Sequence, residues 1–173
     1  MKQIRWFDRK FDFSSEQNTF PSILERISDT PLRLEHKINQ IAPSLYTHKT
    51  DDGAWSIQEN VGHLIDLEPL WQGRVEDILS GQQHMRPADL DNTATHRAQH
   101  NLRSMNDLLS EFWQVREATL KKLENLSDQD VFRYALHPRL NTPMRIMDLF
   151  LFVAEHDDHH LAQMTALHKS LSK

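Results

Sequence analysis

One run near the end of the chain has the spacing of a single face of an α-helix, and two histidines lie in its middle. It comprises Leu149, Val153, His156, His160, Gln163 and Leu167, at steps of four, three, four, three and four. Apolar residues at both ends predict that this face is buried. Burying two imidazoles there costs free energy unless their nitrogens find partners. A divalent metal ion is one partner, since residues at i and i+4 can reach a common ion. The alternative is a core pair satisfied by carboxylates or by the backbone.

Helical periodicity extends over most of the chain. It covers about 20–42, 56–79, 101–125 and 143–170, and no segment shows strand alternation. Four glycines in 173 residues also favour long helices over a fold with many turns. The sequence therefore predicts an all-α fold, a four-helix bundle, in one domain over residues 1–173.

Local signals place the helix ends. Pro31 either divides the first segment into two helices or kinks it. Ser56 and Glu59 have the S-x-x-E form of a capping box that opens the second helix. Thr142 and Pro143 predict the cap and first residue of the last helix.

Four segments between or before the helices are predicted to be irregular. Residues 1–18 carry bulky aromatics and are predicted to pack as an irregular arm, and Asp51-Asp52-Gly53 marks a turn within 44–55. The longest connection covers 81–100 and another covers 126–142. Long connections in compact domains are often functional, which draws attention to 81–100.

Composition excludes several classes of function. The net charge of −5 and the lack of a basic cluster predict no nucleic-acid partner. The chain has no cysteine, so it has neither disulfides nor a thiol nucleophile of its own. No apolar run approaches the roughly 18 residues of a membrane span, which predicts no membrane partner. The polar first residues lack the form of a signal peptide, which predicts a cytoplasmic protein.

The histidine pair needs a third ligand if it holds a catalytic metal, because such sites usually have three protein ligands and an open position. His63 is the histidine inside the second predicted helix, and it borders the apolar face there. His36 lies between Glu35 and Lys37 and is predicted to be solvated. Residue types alone do not select the third ligand, since a lone helical histidine is more often tolerated at the edge of a core.

Motifs spread over about 20–168 resemble the signature of the DinB-like superfamily. They are Trp55-Ser56-x-x-Glu59-x-x-x-His63-Leu64, then Glu68, Trp71 and Arg74, then Arg86-Pro87-Ala88-Asp89-Leu90, His137-Pro138-Arg139, and His156-x-x-x-His160-x-x-Gln163. The resemblance implies a four-helix bundle of up-down-down-up order that holds a divalent metal on three histidines. Residue by residue, these ligands fall on His63, His156 and His160. Many relatives have Arg-Gly where this chain has Leu161-Ala162, so the resemblance implies no substrate contact from an arginine at this position.

Two further residues are candidates for the site. Glu59 is explained by the capping box, but it also lies four residues before His63, where it would support a ligand from behind or act as a base. Gln163, one turn beyond His160, is a candidate pocket or cofactor-binding residue.

Other polar residues near the motifs are expected to play lesser parts. His159 lies one step off the stripe and is predicted to face outward and to pair with Glu155. Asp157 and Asp158 are predicted to face solvent or a partner subunit. Trp55 is predicted to anchor the helix start by packing, with a pocket wall as the alternative. The loop histidines are predicted to be exposed or to line the pocket mouth: His84, His96 and His100.

Two classes of function remain open. The first is an enzyme in which zinc or nickel, or else manganese or iron, activates water or a small thiol for a small-molecule substrate. The resemblance implies thiol S-transferases and metal-dependent hydrolases as its chemistries, and it implies a homodimer. The second is a non-catalytic stress protein that binds a metal or a small molecule.

Overall fold

The computed structural model describes residues 4–50 and 53–172, and the turn predicted at Asp51 and Asp52 lies outside them. The described helices are α1 (Phe20–Ser28), α2 (Thr30–Ile38), α3 (Ile57–Leu79), α4 (Thr93–Arg97), α5 (Met105–Glu124) and α6 (Ile146–Leu171). The first predicted segment is thus two short helices that meet at Asp29 and form one column. This column, α3, α5 and α6 make up a four-helix bundle, and α4 lies in the long connection. The predicted all-α bundle is confirmed.

The first column runs parallel to α6. Arg26 on α1 donates a hydrogen bond to Asp158, at 2.6 Å, and Lys37 on α2 donates to Thr165 farther along α6, at 2.5 Å. Two contacts that advance in the same direction on both partners require parallel helices.

The two middle helices are also parallel to each other. Gln58 at the start of α3 donates to the carbonyl of Arg103, just ahead of α5, at 2.7 Å. Gln72, late in α3, donates to Thr119, late in α5, at 3.0 Å.

The orientation of α3 against α6 completes the order. Asn60 near the start of α3 contacts His160 in the second half of α6, whereas Trp71 packs on Phe152 near the start of α6. These helices are therefore antiparallel, and the bundle has the up-down-down-up order that the resemblance implies.

A short hairpin corrects the expectation that no strand is present. β1 (Tyr134–Leu136) pairs antiparallel with β2 (Pro143–Arg145), with Ala135 opposite Met144. These two central side chains are buried and add to the apolar core. Strands of three residues are too short to show a period of two in the sequence, which explains the miss.

The hairpin also moves the start of the last helix. α6 begins at Ile146, where Asp148 accepts a hydrogen bond from the backbone N–H of Arg145 and pairs with its side chain. The prediction that Thr142 caps this helix and Pro143 opens it is therefore wrong. α5 likewise begins at Met105 rather than near 101, with Ser104 as its cap.

The N-terminal arm packs across α6. Apart from a 3-10 turn at Trp6–Asp8 its described part is irregular, as predicted. Trp6 and Phe11 both pack on Phe152, and Arg9 forms an ion pair with Glu155. The arm thereby covers one side of the α6 face that carries the histidines.

A buried polar layer divides the apolar core into two clusters. One cluster joins α1 with the first half of α6, and the other joins α2 with the start of α3 and the end of α6. Between them Arg116 on α5 donates to Glu68 on α3, to Asp157 on α6 and to the carbonyl of Ile27 on α1, at 2.7 to 2.9 Å. One guanidinium on α5 therefore bonds to the three other columns. None of the helices in the described residues has the length and hydropathy that crossing a membrane requires.

Two glycines of α3 provide a matched test of how closely this helix is packed. A Cβ on Gly62 would overlap the ring of His100, which is fully buried, whereas a Cβ on Gly73 would overlap the flexible end of Arg86 at the surface. We expect Gly62→Ala to lower the free energy of unfolding by about 1–3 kcal/mol, because the ring cannot move aside. Gly73→Ala is expected to be neutral or stabilising by up to about 1 kcal/mol, because alanine has the higher helix propensity. Urea unfolding followed by circular dichroism measures both, and equal effects would contradict the contact with His100.

Candidate metal centre

Three histidines from two antiparallel helices converge at mid-bundle. His63 on α3 faces His156 and His160 on α6, and one ring nitrogen from each lies within 4.8 Å of the others. The Nε2 atoms of His156 and His160 are 3.2 Å apart. All three residues are buried. The spacing of i and i+4 on α6 brings its two rings together, and the antiparallel order places His63 opposite them.

The arrangement fits a divalent ion. With metal–nitrogen bonds of 2.0–2.1 Å, two nitrogens in tetrahedral coordination lie about 3.3 Å apart, close to the spacing of the two Nε2 atoms. The Nδ1 of His156 is buried without a hydrogen-bond partner in the protein. A core pair fully satisfied by protein groups, the alternative raised by the sequence, would not leave such a nitrogen.

Burial keeps these imidazoles neutral. It lowers the pKa of His63 to about 4 and lowers the pKa values of His156 and His160 well below the usual 6.5. The positive charge that each would carry also disfavours protonation of its neighbours. Neutral imidazole is the form that ligates metals, so the protonation state at physiological pH is the one that a metal would require.

Asn60 fixes the orientation of His160. Its amide nitrogen donates to the carbonyls of Trp55 and Ser56, so its Oδ1 faces His160 Nδ1 at 2.8 Å and accepts the proton there. This bond leaves the lone pair on Nε2, which points at the centre.

A chain of three residues supports His63 from behind. Its Nδ1 lies 3.0 Å from the hydroxyl of Thr95, which donates in turn to Asp66. Asp66 also pairs with His100 Nε2 at 2.9 Å. Burial raises the pKa of Asp66, but the bonds from His100 and Thr95 outweigh burial and hold that pKa below its usual value. The expectation that His100 is exposed is therefore wrong, whereas His84 and His96 are exposed.

These supporting bonds predict an effect on metal affinity. We expect Asn60→Ala and Thr95→Val each to weaken binding of Zn²⁺ by about 10–100-fold, because the imidazole behind each bond loses its fixed tautomer. Competition with a fluorescent zinc chelator measures the affinity. Thr142→Val, at an exposed threonine of the hairpin loop, is the control and should leave the affinity unchanged. Equal affinities for all these variants would show that the two bonds do not orient ligands.

The two other predicted site residues occupy different places. The carboxylate of Glu59 accepts from the backbone N–H of Ser56 at 2.9 Å and pairs with Lys49 at 2.7 Å, which confirms the capping box. Glu59 is not among the residues that line the pocket, and its role as a support or base stays a prediction. Gln163 does lie in the pocket wall.

Three residues of α6 lie elsewhere than predicted. His159 is buried in the pocket wall beside Trp6, with ring centroids 5.4 Å apart, instead of facing outward. Asp157 is buried against Arg116, and Asp158 pairs with two arginines of the first column at the edge of the bundle. The reason is that the N-terminal arm, α1 and α3 all pack on α6, so its buried surface is far wider than one stripe.

A pocket of about 1000 Å³ opens above the three histidines. Trp55 forms part of its wall, with its ring 4.5 Å from that of His63, so the wall role is the one the structure supports. Other apolar residues around the site are Trp6, Phe11, Leu67, Leu70, Trp71 and Phe152. The position where many relatives have arginine holds Leu161, which packs in the core.

Comparison with known proteins agrees with this architecture. YfiT from Bacillus subtilis is 20% identical with a TM-score of 0.80, over 95% of this chain and 94% of that one. It is described as "a probable metal-dependent hydrolase with an unusual four-helix bundle topology". A protein of Streptococcus pneumoniae is 12% identical with a TM-score of 0.70, over 90% of this chain and 93% of the other. Among curated proteins, none matches the chain significantly.

Another structurally similar protein concerns the prediction that this chain has no nucleic-acid partner. The colibactin self-resistance protein ClbS, solved in complex with double-stranded DNA, is 14% identical with a TM-score of 0.67, over 90% of this chain and 98% of that one. A likeness at this identity shows the fold alone, so the absence of a nucleic-acid partner stays a prediction.

The family itself is established by sequence. A family model for the DinB superfamily matches residues 19–164, which include the whole bundle except its last few residues. The match contains all three histidines of the centre as well as Glu59 and Gln163. The chain belongs to the DinB superfamily.

Proposed function

We propose that this protein is a metal-dependent enzyme in which His63, His156 and His160 hold a divalent ion that activates a nucleophile for attack on a small electrophilic substrate. The observation that carries the proposal is the convergence of three neutral imidazoles beneath a pocket of about 1000 Å³. When bound to three imidazoles, a divalent ion keeps open positions at which it lowers the pKa of a water or a thiol.

The number of ligands favours catalysis over a structural role. Structural zinc sites are closed by a fourth protein ligand, whereas catalytic sites keep an open position. In the part of the chain that the structure describes, the group of metal-ligating side chains close enough to share an ion consists of the three histidines alone. The pocket reaches all three, so a substrate has access to the centre.

The chain's own residues supply orientation and exclusion of water. Asn60 and Thr95 fix two of the imidazoles from behind. Trp55, Trp71 and Trp6 place apolar rings against the three histidines. A low-dielectric wall of this kind strengthens electrostatic interactions inside the pocket. Gln163 is proposed to bind a polar group of the substrate or cofactor.

The nucleophile is water or a low-molecular-weight thiol, which correspond to hydrolysis and thiol S-transfer. Two acidic groups on the helices that carry the histidines are already engaged: Asp66 with Thr95 and His100, and Asp157 with Arg116. A thiol has a lower pKa than water, so the metal needs to lower it by less for the thiol to ionise at neutral pH. We therefore place thiol transfer first and hydrolysis second.

Activity assays with reconstituted protein test the proposal. Protein loaded with zinc, nickel, manganese or iron(II) is mixed with 1-chloro-2,4-dinitrobenzene and a panel of thiols, and separately with activated esters and amides. We expect metal-dependent turnover that is lost in the His160→Ala variant and on chelation. If the protein binds metal tightly and stoichiometrically but its turnover never exceeds that of the His160→Ala variant, the proposal of an enzyme is rejected. The non-catalytic binding protein is then favoured.

A further inference from the structure

Arg74 on α3 is a buried guanidinium that forms no ion pair with a carboxylate in the described part of the chain. It is 2% exposed, and among the described residues its Nε donates a hydrogen bond to the carbonyl of Arg86, at 3.1 Å. The charge of Asp77 acts on Arg74 electrostatically, but both carboxylate oxygens of Asp77 accept hydrogen bonds from the side chain of Arg86. Burial lowers the pKa of Arg74 to about 10, so the group is charged at neutral pH. Arg74 lies in the wall of the pocket. A buried, uncompensated cation is costly unless a ligand supplies the opposite charge.

His137 presents a neutral donor to the same end of the pocket. Its Nδ1 accepts the backbone N–H groups of Arg139 and Leu140, at 3.3 and 3.2 Å, so its proton is on Nε2. Burial, followed by the charges of Arg74 and Arg139, lowers the pKa of His137 to about 4, which keeps the ring neutral. The residue lines the pocket.

Arg139 adds a second cation at the mouth. It is exposed, lines the pocket and lies over the ring of Phe7, with its guanidinium carbon 5.7 Å from the ring centroid. Within residues 4–50 and 53–172 neither Arg74 nor Arg139 forms an ion pair. Among the described residues, the acidic side chain in this pocket wall is Asp89, and its carboxylate accepts the backbone N–H groups of Asp91 and Thr93.

One aromatic ring separates this positive end from the three histidines. The guanidinium carbon of Arg74 is 5.6 Å from the centroid of Trp71, and that centroid is 5.9 Å from the ring of His156. Arg74 comes three turns after His63 on the same helix face. Leu67 and Leu70 line the wall on the same helix between these two residues. The pocket therefore has a metal end, an apolar middle and a cationic end.

We propose that Arg74, Arg139 and His137 bind an oxyanion on a ligand whose apolar body lies along Trp71 and whose other end reaches the three-histidine centre. The ligand class is an amphiphilic organic anion, a carboxylate or a phosphate monoester, of roughly the length of one aromatic ring plus a short chain. This inference rests on the proposed function for the reacting end of the ligand, while the anion site itself needs no reaction.

Binding to metal-free protein tests the anion site separately from catalysis. Metal is removed with a chelator, and the chelator is then removed by dialysis. Titration calorimetry or quenching of tryptophan fluorescence measures the binding of three compounds: 4-phenylbutyrate, phenyl phosphate and the neutral methyl ester of 4-phenylbutyrate. We expect either anion to bind about tenfold or more tightly than the ester, since hydrogen bonds between charged groups are the stronger ones. The anion that binds more tightly shows whether the site prefers a carboxylate or a phosphate monoester.

Two variants and a control locate the site. Arg74→Gln and Arg139→Gln are expected to weaken binding of the preferred anion by about tenfold or more and to leave the ester unchanged. Arg97→Gln, at an exposed arginine outside the pocket wall, should have no effect. If Arg74→Gln does not fold, Arg139→Gln at the surface still provides the test. Equal binding of anion and ester, or unchanged binding in both variants, would overturn the inference.

The two proposals fail in distinguishable ways. Selective anion binding by metal-free protein, together with a metal-loaded protein that turns nothing over, would uphold the anion site and reject the enzyme. Turnover of neutral substrates that is unaffected by Arg74→Gln and Arg139→Gln would uphold the enzyme and reject the anion site.

Discussion

Replacing His160 with alanine is expected to abolish stoichiometric binding of a divalent metal. His160 presents an Nε2 lone pair to the centre, and its removal leaves two of the three imidazoles that we propose as ligands. Loss of a residue that supports a ligand weakens metal binding 10–100-fold, and loss of the ligand itself should cost more than about 100-fold. We expect the same result for His63→Ala and His156→Ala. Elemental analysis after dialysis measures the metal content, and circular dichroism checks that the helices are retained.

The control lies two turns farther along the same helix. His168→Ala removes an α6 histidine that belongs to neither the centre nor the pocket wall, and its metal content should equal that of the unmodified protein. Full metal content in the His156 and His160 variants would show that the ligands are wrongly assigned. Normal binding in the His63 variant alone would require another third ligand, for which Glu59 and His100 are the first candidates.

Replacing Arg116 with methionine is expected to destabilise the fold more than any other single change considered so far. The side chain is 1% exposed and bonds to Glu68 and Asp157, whose side chains are 0% and 1% exposed. Burial already raises the pKa of Glu68 against the effect of the guanidinium. Removing the cation leaves two carboxylates and the Ile27 carbonyl buried without it, which should cost about 3–5 kcal/mol of unfolding free energy. Urea denaturation measures this loss.

An exposed ion pair between α5 and the segment just ahead of it provides the comparison. Arg103, just ahead of α5, pairs with Glu111 at 2.5 Å where both side chains are more than a third exposed, so Arg103→Met should cost about 0–1 kcal/mol. Replacing Glu68, Arg116 and Asp157 together with apolar residues of similar size should recover much of the stability lost in Arg116→Met. Equal losses for Arg116→Met and Arg103→Met would show that the buried cluster contributes no more than a surface pair.

Periodicity predicts the bundle because apolar spacing records which face of each helix is buried. The same reasoning found two of the three clustered histidines, because His156 and His160 interrupt an apolar stripe, whereas His63 was added by the family resemblance. The helix starts at Met105 and Ile146 were missed because caps and a three-residue hairpin depend on local geometry that periodicity does not contain.

Partners across helices are a different problem, because they depend on helix rotation and on chain order. His100 pairs with Asp66, and Arg116 pairs with Asp157, across helices. Neither pair has a characteristic spacing in the sequence from which it could be predicted. One signal was present for the second. Arg116 lies four residues after Phe112 and seven before Leu123, so a charge interrupts an apolar stripe there just as the histidines do in α6.

The parallel pairing of α3 and α5 imposes a minimum length on the segment that joins them. The chain must return along the bundle over about 30 Å, the length of a 20-residue helix, which takes about ten extended residues. Residues 80–104 make up a connection of 25 residues, so more than half of it is not needed to cover this distance. That surplus forms α4, supplies Thr95 and His100 behind His63, and places Pro87 to Leu90 at the pocket. Insertions or deletions there would reshape the entrance while leaving the four columns intact, so one bundle can evolve new substrate preferences through a single connection.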